Sequence, residues 1–173
     1  ITSTDEKELV AKATSEEESV SHAALWLILL LRLTAVTTDE RLELRNSAIH
    51  TLLRIFDANG DRLSPEAWSM CFHSVIFKML LSVASQLKTT RNLEDRKGWI
   101  ETTIVVLGGV STLLGSYLHV LGSHKTFPVC WRALLDNFET LIGYNQLEIN
   151  RSVFDALRQI LAQAHTNSAT CAK

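Results

Sequence analysis

The sequence predicts an all-α fold, a solenoid fragment of about three helix pairs, and three observations carry that expectation. Apolar residues recur three and four positions apart along six segments, the spacing of a helix with one buried face. No stretch alternates with the period of two that a half-buried strand needs. The chain has only 7 Gly and 2 Pro in 173 residues, too few turn formers for a β-rich protein of that length. With 46% hydrophobic residues it is far from a disordered composition, and its length suits one domain-sized core.

The elements follow from their caps. Ser3-x-x-Glu6 is a capping box, in which serine and glutamate each satisfy a free backbone N–H at a helix start; it opens a short helix over 3–13, within an acidic extension, 1–14. Ser15-x-x-Glu18 is a second box and opens an apolar helix reaching about Val36. Thr37-x-x-Glu40 is a third, starting a helix with the inward stripe Leu44, Ala48, Leu52 (with Leu53) and Phe56, which Asn59-Gly60 ends. Ser64 then caps a helix with Pro65 at its first position, where the missing N–H costs nothing. That helix turns Trp68, Phe72, Val75, Met79 and Val83 inward.

After a polar linker, 88–95, a long helix carries Trp99, Thr103, Val106, Val110, Leu114, Tyr117 and Leu121, and Gly122-Ser123 breaks it. The next uses Phe127, Trp131, Leu134, Leu135, Phe138 and Leu141, stopping at Gly143. The last spans 148–164 with Val153, Leu157, Ile160 and Leu161 inward. The helical domain is thus 15–164, paired as 15–36 with 38–57, 64–87 with 93–121, and 124–143 with 148–164; the small polar residues 165–173 read as a disordered tail. Trp26, Trp68, Trp99 and Trp131 each stand early in a helix, as core anchors.

Net charge is −2, which gives no electrostatic case for nucleic acid. Six acids against Lys7 and Lys12 in residues 1–24 read as a solvated helix face. Cys71, Cys130 and Cys171 are an odd, widely spaced set, suited to buried thiols in a reducing compartment. The chain opens Ile1-Thr2-Ser3-Thr4-Asp5 with neither an initiator Met nor a signal peptide, and is expected to be part of something longer. Ala23 to Leu31 is too short to cross a bilayer and meets Arg32. Thr102 to His124 is uncharged but carries two His, several Thr and Ser and four Gly, and reads as a buried core helix; Gly108, Gly115 and Gly122, seven apart, would give it a smooth stripe for close approach.

Asp39-Glu40-Arg41-Leu42-Glu43-Leu44-Arg45-Asn46-Ser47-Ala48, continued by Leu52-Leu53, resembles the second helix of a HEAT repeat. The Asp favours the positive end of the helix dipole, Ala48 allows close approach, and the arginine is placed to bond across to the next repeat. A weaker copy runs through Glu148-Ile149, Ser152, Ala156-Leu157 and Ile160-Leu161. The fold is therefore expected to be a HEAT/armadillo-like α-solenoid.

A wider set recurs in order: Asp39-x-Arg41-x-Glu43-x-Arg45-Asn46-Ser47-Ala48, Leu63-Ser64-Pro65-Glu66-x-Trp68, Cys71-Phe72, Val75-x-Phe77 and Trp99-x-Glu101-Thr102. Over about 23–161 this resembles the C-terminal homology-downstream domains of the large Golgi Arf guanine-nucleotide exchange factors. Within that family it is most similar to the monensin-sensitivity scaffolds, which lack the exchange domain; it departs at Phe77-Lys78-Met79-Leu80, where the family pattern has a proline after the phenylalanine. The resemblance implies a non-catalytic scaffold in endosome–Golgi trafficking. It would be cytoplasmic and peripheral on those membranes, with an Arf-like GTPase, a Dopey-type protein or lipid as partners.

No catalytic, metal or cofactor pattern survives a check of spacing. Asp57-Ala58-Asn59-Gly60-Asp61 begins like a calcium loop, but Arg62 stands where the turn needs Gly and Trp68 where a bidentate Glu is required. Cys71 and His73 are two apart on a helix and face different ways; His119 and His124 have no carboxylate or thiol beside them in the sequence. There is no nucleophile elbow, and Gly108-Gly109 lacks the Lys-Ser/Thr of a phosphate loop. The residues singled out for binding are Lys88, Arg91, Arg96 and Lys97, four bases against two acids on a linker. They support an alternative of another class, a lipid-binding module that recognises anionic phospholipid with this loop at the mouth of an inter-helix groove. Asp39, Arg41, Arg45, Ala48, Trp68 and Trp99 are the residues expected to hold the repeat together.

Overall fold

The computed structural model describes the backbone of residues 18–122 and 124–171, and the side chains of 25–122 and 124–163. The expected 1–14 extension with its Ser3 box, and Ser15 of the second box, lie outside the described residues. Six helices follow: α1 Glu18–Val36, α2 Leu42–Asn59, α3 Pro65–Thr89, α4 Leu93–Gly122, α5 Phe127–Ile142 and α6 Leu147–Cys171. Among the described residues there is no strand.

The register of side chains sets the architecture. Arg45 of α2 meets Thr102 of α4, Leu53 lies over Gly109, and the Asp57 carbonyl accepts from the Tyr117 hydroxyl. Both numbers climb together, so α2 and α4 run parallel. The same holds between α4 and α6, where Ser111 bonds Gln159 and Gly115 faces Gln163. The second helices of three successive pairs therefore stack as one layer. In the other layer α3 lies between α1 and α5, both of which touch its Phe72–Ile76 turn. Two layers of stacked helix pairs make an α-solenoid fragment, with one continuous core running through it.

Local chemistry explains most boundaries. Ser64 Oγ accepts from the Ala67 N–H at 3.2 Å, with Pro65 in the first turn of α3. Asn92 Oδ1 accepts from the Glu94 N–H and opens α4. Asn145, at φ 53°, takes the left-handed position between α5 and α6, which its short polar side chain tolerates. Inside α3, Phe72–Ile76 form a π turn, closed by the Phe77 N–H on the Phe72 carbonyl. The extra residue lets Trp68 on one side of it and Met79 and Val83 on the other all face the core.

Several sequence expectations are corrected. Thr37 does not cap α2: its hydroxyl donates to the Thr34 carbonyl at 2.7 Å, closing the end of α1, and α2 begins only at Leu42. Leu44, Leu135 and Leu161 are exposed rather than inward, and Trp26 is 48% exposed rather than a core anchor. Trp26 stands with Leu25 and Leu29 on α1, and Leu161 with Leu147 and Phe154 on α6; these lie at the two ends of the described stack, where no other described pair covers them. The backbone stays helical to Cys171, past the expected end at 164, because no Gly or Pro follows Gly143 to stop the ladder.

The glycine stripe is also different. Gly108 and Gly122 face open space, whereas Gly109 meets Leu53 and Gly115 meets Gln163. By length and composition α3 and α4 are each apolar enough to cross a membrane, yet half of each apolar window is buried against the other helices of this fold.

Gly60 is enclosed by two aromatic rings. A Cβ there would collide with the Tyr117 ring and stand 2.7 Å from Trp68 Cζ2. We expect Gly60→Ala to destabilise the chain by roughly 1–3 kcal/mol through overpacking. Gly108→Ala should instead stabilise it by about 0.5–1 kcal/mol, because it removes mid-helix backbone entropy without a clash. Urea midpoints of the two variants would move in opposite directions; equal shifts would refute this packing.

Candidate functional site

The expected repeat-holding residues divide into two pins that join α2 to α4 and one separate, exposed unit. At the first, Arg45 is buried. Its guanidinium lies 4.0 Å from the Trp99 ring centroid, donates through Nε to Thr102 Oγ1 at 2.9 Å, and donates through a terminal nitrogen to the carbonyls of Glu40 at 2.8 Å and Asp39 at 3.4 Å. The Thr102 hydroxyl in turn donates to Asn46 Oδ1 at 3.2 Å. Burial lowers the pKa of Arg45 from its ordinary value, and the Asp39, Asp95 and Glu101 charges act against that; the group stays a cation, since arginine does not deprotonate in proteins. Ala48, also buried, lies one turn further along the same face.

Asp39 and Arg41 form a separate, exposed unit. Asp39 Oδ1 accepts from the Arg41 backbone N–H at 2.9 Å and from its Nε at 2.9 Å. These bonds hold the Asp39 carboxyl down at about 2. With a folded pKa below the unfolded one, the pair contributes above the ordinary carboxylate range, and its contribution is lost as pH falls toward that value. Arg41 thus bonds back along its own chain and not across to a neighbouring pair.

The second pin is aromatic. Trp68 is fully buried, donates from Nε1 to the Gly60 carbonyl at 3.0 Å, and has its ring centroid 4.5 Å from that of Tyr117. Tyr117 in turn donates to the Asp57 carbonyl at 3.2 Å. The calcium-like loop therefore has two of its carbonyls engaged by indole and phenol.

The four basic residues do not form one free patch. Arg96 donates to the Leu87 carbonyl at 2.6 Å, sealing the last turn of α3. Lys97 pairs with Glu94 at 3.0 Å. Lys88 stands 5.2 Å from the Tyr144 ring centroid, within cation–π range, and Arg91 is exposed.

One contact has no sequence signal. His124 Nε2 lies 2.8 Å from Glu66 Oε1 and its Nδ1 2.8 Å from Thr126 Oγ1, tying the α4–α5 turn to the start of α3. Burial pushes the Cys71 and Cys130 thiols up to about 11, away from nucleophilic use. Among the described residues, no group of three or more His, Cys, Asp or Glu could hold a metal.

Comparison with known proteins adds what geometry leaves open. A family model described as a GBF1-like tetratrico peptide repeat region matches residues 26–170. Protein MON2 homolog of Caenorhabditis briggsae is 26% identical over 151 residues, covering 80% of this chain and 9% of that protein. Protein MON2 of Saccharomyces cerevisiae is 28% identical over 136 residues, covering 79% and 8%. The ARF guanine-nucleotide exchange factor GNOM of Arabidopsis thaliana is 28% identical over 148 residues, covering 79% and 10%. The chain thus spans about a tenth of the length of the curated relatives it matches. No solved structure matches it.

If the first pin works through the planar fork, Arg45→Lys keeps the charge but loses the paired carbonyl bonds and the stacking on Trp99. Thermal and urea unfolding should then show a loss of roughly 1–3 kcal/mol. Arg41→Lys, on the exposed unit, should leave both transitions where the parent has them; equal losses would assign Arg45 no special part.

Proposed function

Because the chain belongs to the family of GBF1-like tetratricopeptide repeat regions, we propose that it is a non-catalytic scaffold segment of an endosome–Golgi trafficking protein. In this reading it binds protein partners at the cytosolic membrane face. The observation that carries the reading is the match over 26–170 together with MON2 relatives across most of the chain. An Arf-like GTPase and a Dopey-type protein are the partners the family resemblance implies. Helix pairs stacked in two layers present long lateral faces, the surface such a scaffold uses. Protein binding is favoured over recognition of anionic lipid because Arg96 and Lys97, half of the basic loop, are engaged within the fold.

The test is an exchange of segments. Saccharomyces MON2 carrying this chain in place of its matching segment should support endosome–Golgi cargo sorting in cells lacking the native protein, and deletion of the segment should abolish it. A deletion that sorts as well as the intact protein would sink the scaffold role. For the lipid alternative, the isolated chain should not float with phosphatidylserine vesicles. Flotation abolished by Lys88→Glu with Arg91→Glu would reverse the preference.

A further inference from the structure

An open groove of about 480 Å³ runs between α3 and α5, where the π turn brings His73 and Phe77 together with ring centroids 5.7 Å apart, but its lining favours no one occupant. The outer face of α6 does. Each second-layer helix carries its successor on one side: Leu53 of α2 lies over Gly109 of α4, and Ser111 and Gly115 of α4 meet Gln159 and Gln163 of α6. On α6 the side turned away from α4 holds Leu147, Phe154 and Leu161. Phe154 precedes Gln163 by nine residues, about two and a half turns, so the two point in opposite directions. The three apolar residues recur every seven positions, the spacing of a helix-packing stripe, over about 21 Å of helix. They are 62%, 62% and 52% exposed, and half-buried Leu157 joins the stripe to the core.

The border of the stripe is basic. Arg151 and Arg158 stand three residues before and four after Phe154, on its solvent side, and both are exposed. Arg158 pairs with Asp155 at 2.8 Å along the same helix. A second copy packed antiparallel on this stripe would set like charges together along the border, a repulsive contact. A helix with an acidic border would instead meet both arginines.

We propose that this face is the seat of a further second-layer helix of the same polypeptide, laid parallel to α6 as α6 is to α4. That helix places small or aliphatic residues over Phe154 and Leu161 and turns acids toward Arg151 and Arg158. Continuity of the stack supports this occupant, since α2 and α4 each receive their successor on the corresponding side. So does length, because the relatives that match this chain are about ten times as long. The inference rests on family membership and not on the scaffold reading. It takes the outer face of α6 out of partner binding and leaves partners the lateral faces of the two layers.

The test compares the isolated chain with Saccharomyces MON2 carrying it, each bearing Phe154→Cys. Maleimide labelling is read residue by residue by mass spectrometry. At position 154 it should be fast in the isolated chain and about tenfold slower or more in the purified chimera. Ser47→Cys, on the exposed side of α2, should label alike in both. Benzoyl-phenylalanine in place of Phe154 should photo-crosslink, within the chimera, to a segment that follows the exchanged one. Arg151→Glu with Arg158→Glu should raise labelling of the chimera at position 154 several-fold. Equal labelling of the two proteins, a crosslink to a second copy or to another protein, or indifference to the charge reversal overturns the proposal. So does protection that appears only when phosphatidylserine vesicles are added. A chimera that sorts cargo while position 154 labels as freely as in the isolated chain overturns this joint and leaves the scaffold reading standing.

Discussion

The fold depends on enclosing α4. From Thr102 to Gly122 that helix carries no Asp, Glu, Lys or Arg, and its exposed face is a narrow row through Gly108, Thr112, Ser116 and His119, so its stability must come from neighbours on the rest. Three elements supply them: α2 and α6 on either side within the second layer, and α3 as its own antiparallel partner. The buried hydroxyls along α4 do not spoil this burial, because each finds an acceptor. Thr103 returns to the Trp99 carbonyl at 2.8 Å, and Ser111 bonds both the Gly108 carbonyl and Gln159. A helix that passes a membrane test by composition is thus satisfied by protein on half of its apolar window.

Apolar burial alone would not choose one sliding register for parallel helices. Polar pins do. On the α2 side the Arg45–Trp99–Thr102 group and the Trp68–Gly60–Tyr117–Asp57 group lie at opposite ends of the contact. A shift of one turn would strand a buried guanidinium at one end and drive rings into the Gly60 backbone at the other. On the α6 side Ser111, Thr112 and Gln159 form the corresponding seam. A buried cation is expensive unless its donors are met, and here it costs little because the free carbonyls at the start of α2 and one threonine hydroxyl meet them.

Much of this was legible in the residues, and the failures have physical causes. Helix number, the Ser64-Pro65 start and the inward rows of α3 and α4 follow from short-range spacing, which one chain segment carries by itself. The family was legible too, since its motif residues lie within short runs. Thr37 misled because the same hydroxyl suits the end of one helix as well as the start of the next, and the Thr34 carbonyl was nearer. Leu44, Leu161 and Trp26 misled because periodicity marks an apolar face without saying whether a neighbour exists there. The basic loop was legible only as a composition. Composition counts charges, but Arg96 is held by a backbone carbonyl, and no residue identity reports that. Glu66 with His124, and the π turn that sets up the α3–α5 groove, arise only from the meeting of distant segments.

The two layers also differ in how close they can come, and this decides where a partner has room. Between α2, α4 and α6 the contacts fall on small residues, Gly109 under Leu53 and Gly115 under Gln163, so the helices close on one another and are sealed by side-chain bonds. Between α3 and α5 the joint is left open along Phe77, Leu81 and Ala133. The same sequence choice that makes the second layer a rigid spine therefore leaves the first layer grooved. A rigid spine lets a groove hold its shape before anything enters it, which lowers the ordering cost of binding.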